Sequence, residues 1–371
     1  MESDVLIAYQ QTMKACEKAF ERIDFRQEKG YAVKLALFSA NLTNFMPEVA
    51  ESEHETMFRA MLRSVAFESL DRQVLHLSDC TEFSGHTDLL LLSPQPRIFC
   101  SFHLGSYRVI ANSLIRNGVH LSVLVRQELY AQEMDSFTTY TAQMNEKYGN
   151  NSTVNILNAE DPGVLLKIIR EFKQGRSLLV YLDGNVGTGA SDEKLDLVPF
   201  LGQQINVKKG MTYLSYVSGV PLVPVATHRK ADYSNVLCIE EPIYPDKTQS
   251  REAFSQQTLR KLFATFGNYV RQYPDQWEAW NYVQNFLPEM PDESPVTTAA
   301  SYQKPAYHFN ATRYVVFDLE QSAVLFDKKQ YMTYEISDDL RDYLSERLFI
   351  KPQRTLGKAM FRDLVGRQVL V

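Results

Sequence analysis

Between about residue 86 and residue 285, short apolar runs alternate with helical ones so regularly that few architectures can accommodate them. The segments 97–102 (RIFCSF), 120–125, 153–157, 177–183 and 221–227 have the length and apolar character of buried strands. Between them, 107–117, 129–148, 162–174 and 209–218 carry helical spacing, and Gly118, Gly175 and Gly219 stand where such helices would stop. The runs LLLL at 89–92 and VSGVPLVPVA at 217–226 also have buried-strand length. Strand–helix units at this spacing predict an α/β fold, a mainly parallel sheet covered by helices.

The flanks read differently. Residues 1–75 carry helical periodicity, with Tyr31, Val33, Leu35, Phe38, Leu42 and Phe45 recurring on one face, and glycine is almost absent there. Residues 255–273 predict an amphipathic helix that buries Leu259, Leu262, Phe263, Phe266 and Val270. The segment 285–305 is rich in Pro, Ser, Thr and acid, as a linker would be. After it, RYVVFDLEQSAVLFD predicts a β-hairpin and SDDLRDYLSERLF a helix. The expected organisation is a helical region over 1–85, an α/β domain over 86–287, a linker over 288–306 and a small α+β module over 307–371.

Composition narrows the function classes. Hydrophobic residues make up 44% of the chain, enough for a proper core, and the net charge of −6 argues against a nucleic-acid partner. Cys16, Cys80, Cys100 and Cys238 form no CxxC pair, so isolated thiols in a reducing cytoplasm are expected, not a disulfide framework or a zinc site. The opening MESDVLIAYQQTMKACEKAFERID lacks the basic start and apolar run of a signal peptide. No run of roughly 18 apolar residues exists, so no transmembrane segment is expected.

His103 is the first residue with chemical promise. It follows the strand 97–102 and precedes Leu104-Gly105-Ser106-Tyr107-Arg108, at the start of a helix. Open α/β sheets place ligands at such strand ends, and a histidine there suits a general base that takes a proton from an acceptor hydroxyl or amine. A lone histidine is also often structural. Asp183 ends the apolar strand 177–183, where Asp183-Gly184 also reads as a simple turn. Arg126 follows a strand and suits a donor phosphate or an oxyanion, and an ordinary surface arginine fits it as well. Lys208 and Lys209 precede a helix N-terminus, which suits anion binding, and a solvated basic pair fits equally well. The seven histidines are scattered without HExxH, the glycines 184, 187 and 189 lack dinucleotide spacing, and GxSxG is absent. Neither a bound metal nor a bound cofactor is expected.

Taken in order, HLGSYR at 103–108, VYLDG at 180–184, LVPFLG at 197–202, SGVPLVPV at 218–225 and YPDQWEAW at 273–280 resemble the lysophospholipid/lipid A biosynthesis acyltransferase family over about residues 95–287. The resemblance implies acyl transfer from a thioester donor, acyl carrier protein or acyl-CoA, to a hydroxyl or amine, with His103 as general base. Trp277 and Trp280 support fold identity in this comparison, with packing as their expected role. The departure is Arg108, which stands where the family has Asp or Glu. An arginine cannot accept an imidazole proton. Three readings stay open: another acid, with Asp183 the first choice, supports His103; Arg108 binds an anionic substrate group; or the site is degenerate and the chain is a peptide- or partner-binding subunit of a modification complex. Family members that acylate lipids usually carry a hydrophobic anchor or a membrane-facing surface; without an evident anchor, a soluble acceptor is expected and peripheral membrane contact stays open. The module 307–371 loosely resembles small peptide-recognition domains, which implies a peptide or partner enzyme as its contact, and a plain dimerisation or capping element fits it as well.

Overall fold

A computed structural model describes residues 2–25, 28, 30–71, 81–91, 95–184, 194–288, 304–319, 322–346 and 348–371. In chain order the main elements begin with the helices α1 (Glu2–Glu21), α2 (Tyr31–Phe45) and α3 (His54–Asp71). Then come β1 (Thr81–Gly85), α4 (Asp88–Leu91), β2 (Ile98–Ser101), α5 (Arg108–Arg116), β3 (Leu121–Val125), α6 (Tyr130–Tyr148), β4 (Val154–Asn158), α7 (Val164–Lys173) and β5 (Ser177–Tyr181). They are followed by β6 (Leu195–Phe200), β7 (Gln203–Lys208), α8 (Gly210–Ser218), β8 (Leu222–Arg229), β9 (Asn235–Ile239) and α9 (Arg251–Gln272). The last part holds β10 (Ala306–His308), β11 (Tyr314–Leu319), β12 (Ser322–Asp327), β13 (Met332–Ile336), α10 (Asp338–Ser345), β14 (Leu348–Ile350) and α11 (Lys358–Gly366).

The chain divides into two compact units, one of residues 1–21 and 59–286, the other of 22–58 and 287–371. These boundaries differ from those expected. The early helices form no region of their own, because each segment packs where its buried polar groups find partners. The expected linker lies largely outside the described residues.

In the first unit a seven-stranded sheet runs in the order β1-β9-β8-β2-β5-β3-β4. The five strands from β8 to β4 are parallel, and β9 reverses against β8. β2 is buried along its length between β5 and β8, as the apolar run 97–102 predicts for a strand covered on both faces. The face covered by α1, α3, α5 and α6 packs Tyr9, Met13, Phe67, Val109, Ile110 and Leu114 against Phe99, Val123, Leu179 and Val223. α9 begins at Ser250, whose side chain accepts the Ala253 N–H and so caps the helix. The face predicted for this helix is the buried one.

Three departures from the sequence reading have local causes. Of the run LLLL at 89–92, Leu89–Leu91 lie in the short helix α4, with Asp88 in its first turn, and position 92 lies outside the described residues; leucine serves either state, and the acid favours a helix start. Residues 195–208 form the antiparallel hairpin β6–β7. The sequence reading places no strand there; Pro199 is tolerated inside β6 because a two-stranded ribbon leaves a free side on which a missing N–H costs nothing. β1 lies within the stretch read as helical, although it pairs in parallel with β9 from Thr81↔Asn235 to Gly85↔Ile239.

One buried carboxylate explains why α1 and the end of α3 belong to this unit. Asp71 accepts the Tyr9 hydroxyl at 2.7 Å and also the Ser106 hydroxyl, and it pairs with the Arg229 guanidinium. Arg229 Nη1 donates to the Tyr9 oxygen at 2.6 Å. Asp71 and Arg229 are both buried. Truncating Asp71→Ala leaves a buried guanidinium without its carboxylate, and a loss of about 3–5 kcal/mol in urea unfolding is expected. A loss under about 1 kcal/mol would contradict this account of the joint.

In the second unit β11, β12 and β13 form an antiparallel sheet, and β10 pairs with β14. The expected hairpin is β11–β12, and the expected helix is α10, capped by Ser337. Residues 22–58 join it through polar groups. Lys328 is fully buried and donates to the Ala311 carbonyl at 2.6 Å and to Ser39 Oγ at 3.2 Å. Ser39 Oγ lies 2.7 Å from His54 Nδ1, and Asn44 Nδ2 donates to the Lys328 carbonyl at 2.8 Å. Burial and the nearby Lys328 charge hold the His54 pKa below the ordinary histidine range. No helix of the described residues is long and apolar enough to cross a membrane.

Candidate active site

Register places the two central residues together. β2 and β5 are adjacent parallel strands, with Ser101 opposite Tyr181. Two residues beyond each lie His103 and Asp183, emerging side by side at the carboxyl edge of the sheet. His103 Nδ1 lies 2.8 Å from Asp183 Oδ1, and the His103 backbone N–H donates to Asp183 Oδ2 at 2.9 Å. An ionised carboxylate only accepts, so Nδ1 carries the proton and Nε2 keeps its lone pair. Asp183 is buried, whereas the His103 side chain keeps 21% of its surface exposed, so the ring reaches the solvent edge from a fixed base.

The backbone around His103 is stitched to the YPDQWEAW block. Leu104 bridges Trp277, Gly105 N–H donates to the Gln276 carbonyl at 2.9 Å, and Glu278 N–H donates to the His103 carbonyl at 3.0 Å. Gly105 has φ +58°, and a Cβ there would stand 2.8 Å from the Thr227 carbonyl oxygen, so this close approach to β8 requires glycine. Gln276 binds the Arg229 backbone in both senses, accepting its N–H at 2.8 Å and donating to its carbonyl at 2.9 Å. Trp277 donates its indole N–H to Asp183 Oδ2 at 2.8 Å.

Aromatic rings form the floor and walls. Phe102, one residue before the histidine, stacks on Phe266 with centroids 4.3 Å apart and packs against Phe200, Phe263 and Trp277. Phe200 belongs to the LVPFLG tract, so that tract builds the apolar base beneath the site. Tyr181 stacks on the His103 ring at 4.6 Å, and Tyr107 meets it edge-on at 4.8 Å. Burial holds both tyrosine pKa values above their ordinary range.

Charge around His103 follows from these neighbours. Burial would lower its pKa, but the Asp183 carboxylate and hydrogen bond, helped by Glu278, outweigh burial and the opposing Arg108 charge. The net direction is upward from the ordinary histidine value. Arg108 itself is engaged by carboxylates from two other helices. Its Nε lies 2.6 Å from Glu68 Oε1 of α3, and its Nη atoms lie 3.3 Å from the Glu133 oxygens of α6. Both glutamates are buried.

Of the residues singled out in the sequence, His103, Asp183 and Arg108 meet in this cluster. Arg126 follows β3 at the same carboxyl edge. The Tyr282 pKa is raised by burial and then by Asp183 and Glu278, with the Arg126 charge opposing. Lys208 ends β7, and Lys209 immediately precedes α8 with its ammonium 5.8 Å from the Tyr213 ring centre. Among the described residues, no hydrogen bond, ion pair or ring contact links either lysine to His103. Sequence reasoning missed Trp277 as a partner of Asp183, and missed Glu68, Glu133, Glu278, Tyr107 and Tyr181. Trp277, Glu278, Tyr107 and Tyr181 carried a signal, since each lies in one of the motif blocks, whereas Glu68 and Glu133 lie outside them. The glycine run at 184–189 lies outside the described residues after Gly184.

Residues 140–280 match the family of the bacterial lipid A biosynthesis acyltransferase. This stretch is acyltransferase-like. It contains Asp183, the LVPFLG tract and the tryptophan block, and begins downstream of His103. No curated protein matches the chain. Among solved structures, a 1-acyl-sn-glycerophosphate acyltransferase from Thermotoga maritima aligns at 12% identity and a TM-score of 0.33, over 64% of this chain and 97% of that one.

Proposed function

We propose that the first unit transfers an acyl group from a thioester, on acyl carrier protein or CoA, to a hydroxyl or amine, with His103 as general base. The observation that carries the reading is the His103–Asp183 pair at the carboxyl edge of the sheet, with Nδ1 tied to the carboxylate and 21% of the side-chain surface exposed. His103 Nε2 takes the proton of the acceptor as its oxygen or nitrogen attacks the thioester carbonyl. The carbon–sulfur bond then breaks, and the proton passes to the departing thiolate. Asp183 holds the tautomer and stabilises the transient imidazolium.

Arg108 is compatible with this role. Its guanidinium is engaged by Glu68 and Glu133, and in this reading the carboxylate beside His103, Asp183, serves as its acid, which is the first of the three readings that the sequence left open. Arg126, at the same edge, is the better-placed cation for a donor phosphate. A cytoplasmic location fits a carrier-bound donor.

The test is to incubate the protein with acyl-CoA and acyl carrier protein donors and a set of hydroxyl and amine acceptors. Mass spectrometry then follows acylated product and released thiol. Product that appears with wild type and not with His103→Ala is expected. Absence of product with every donor, or equal product from both proteins, would remove the proposal.

A further inference from the structure

Asp183 accepts three hydrogen bonds among the described residues, and one comes from far along the chain. Oδ1 faces His103 Nδ1, and Oδ2 accepts the His103 backbone N–H and the Trp277 indole N–H. Two of these donors belong to His103 itself. The third can be removed without touching the histidine or the aspartate.

Trp277 is held for this contact. Its backbone is bridged to Leu104, its neighbours Gln276 and Glu278 bond the backbone at Gly105 and His103, and its ring is fully buried. Phe200 and Trp280 pack on it at 5.5 and 4.8 Å between centroids. Trp280 is equally buried in the same cluster, yet its indole N–H donates to the Pro274 carbonyl at 2.7 Å, away from the pair. Two adjacent tryptophans thus differ in one respect that matters for His103.

A donor on an ionised carboxylate stabilises its charge and weakens its pull on a proton elsewhere. We propose that Trp277 is a positioning residue of this site, which acts through Asp183 Oδ2 to limit how strongly the carboxylate holds a proton on His103. The effect is to keep the imidazole available as a neutral base at lower pH than Asp183 would otherwise allow. The other groups around the ring are Glu278, Arg108, Tyr107 and Tyr181, and Tyr282 lies in the field of Asp183, Glu278 and Arg126. None of these is altered by a change at position 277. The catalytic consequence rests on the general-base reading, whereas the titration does not.

The experiment is an NMR titration of the His103 ring C–H signals in the full chain, assigned by their loss in His103→Ala. Wild type, Trp277→Phe and Trp280→Phe are compared. In Trp277→Phe the midpoint is expected to rise by about half a pH unit or more, since the carboxylate loses a charge-stabilising donor. In Trp280→Phe, which loses a similar buried ring, the midpoint should stay at the wild-type value. If Trp277→Phe does not fold, a benzothiophene side chain at 277 replaces the N–H by sulfur and keeps the shape. An unchanged or lowered midpoint, or an equal rise in both variants, overturns the proposal. Active acyl transfer with an unmoved midpoint would overturn the role of Trp277 alone. A raised midpoint in a protein that acylates nothing would overturn the proposed function and leave this inference standing.

Discussion

His103→Ala is expected to lower kcat for acyl transfer by about 10²–10⁴-fold, the usual worth of a positioned general base. The fold should survive. The ring lies at the sheet edge with part of its surface in solvent, and Asp183 keeps the backbone N–H of residue 103 and the Trp277 indole as donors. Far-ultraviolet circular dichroism and the thermal midpoint should therefore stay near wild type while product formation collapses. Unchanged turnover on the same substrate pair would be decisive against His103 as the base. A collapse of both activity and thermal midpoint would instead make the histidine structural.

Asp183→Asn is expected to cost on the order of 10³–10⁴ in kcat, by fixing the wrong tautomer. The geometry dictates the direction. Two N–H donors, from His103 and Trp277, converge on the Oδ2 position, so the amide oxygen must sit there. The amide nitrogen then faces His103 Nδ1 and donates to it. The ring proton moves to Nε2, which can no longer accept one from the acceptor. The same variant loses the carboxylate charge that raises the His103 pKa, so its NMR titration midpoint should fall. Near-normal kcat in Asp183→Asn would show that the carboxylate only shapes the loop.

The parts of this arrangement that the sequence made legible are those set by local rules. Apolar runs with glycine stops marked β2, β3, β5 and β8 and the helices between them, because a parallel sheet buried on both faces leaves no other home for such runs. His103 and Asp183 each stood at the end of such a run, and the in-register pairing of β2 with β5 does the rest. What stayed hidden depends on partners distant in the chain. Glu68 and Glu133 look like ordinary helix-surface acids until α3 and α6 bring them against Arg108. Trp277 reads as core, and it is core, but one edge of its ring is also a donor to a carboxylate about ninety residues away. The hairpin β6–β7 is not read from the sequence, since local propensity does not reveal that one side of a strand will lack a partner and so tolerate Pro199. The division of the early helices followed buried polar contacts such as Tyr9–Asp71 and Ser39–Lys328, which no periodicity encodes.

The central claim is that neutral His103, held by Asp183, removes the acceptor proton. Its most direct test pairs two curves on the wild-type protein, the pH dependence of kcat/KM and the NMR titration of the His103 ring. Because Asp183 raises the His103 pKa, the base is protonated and idle below a midpoint higher than that of ordinary histidine. The account predicts that kcat/KM falls tenfold per pH unit on the acid side of that midpoint, and that the two midpoints coincide. A flat profile through the His103 titration, or an acid limb that persists in the residual activity of His103→Ala, would contradict it.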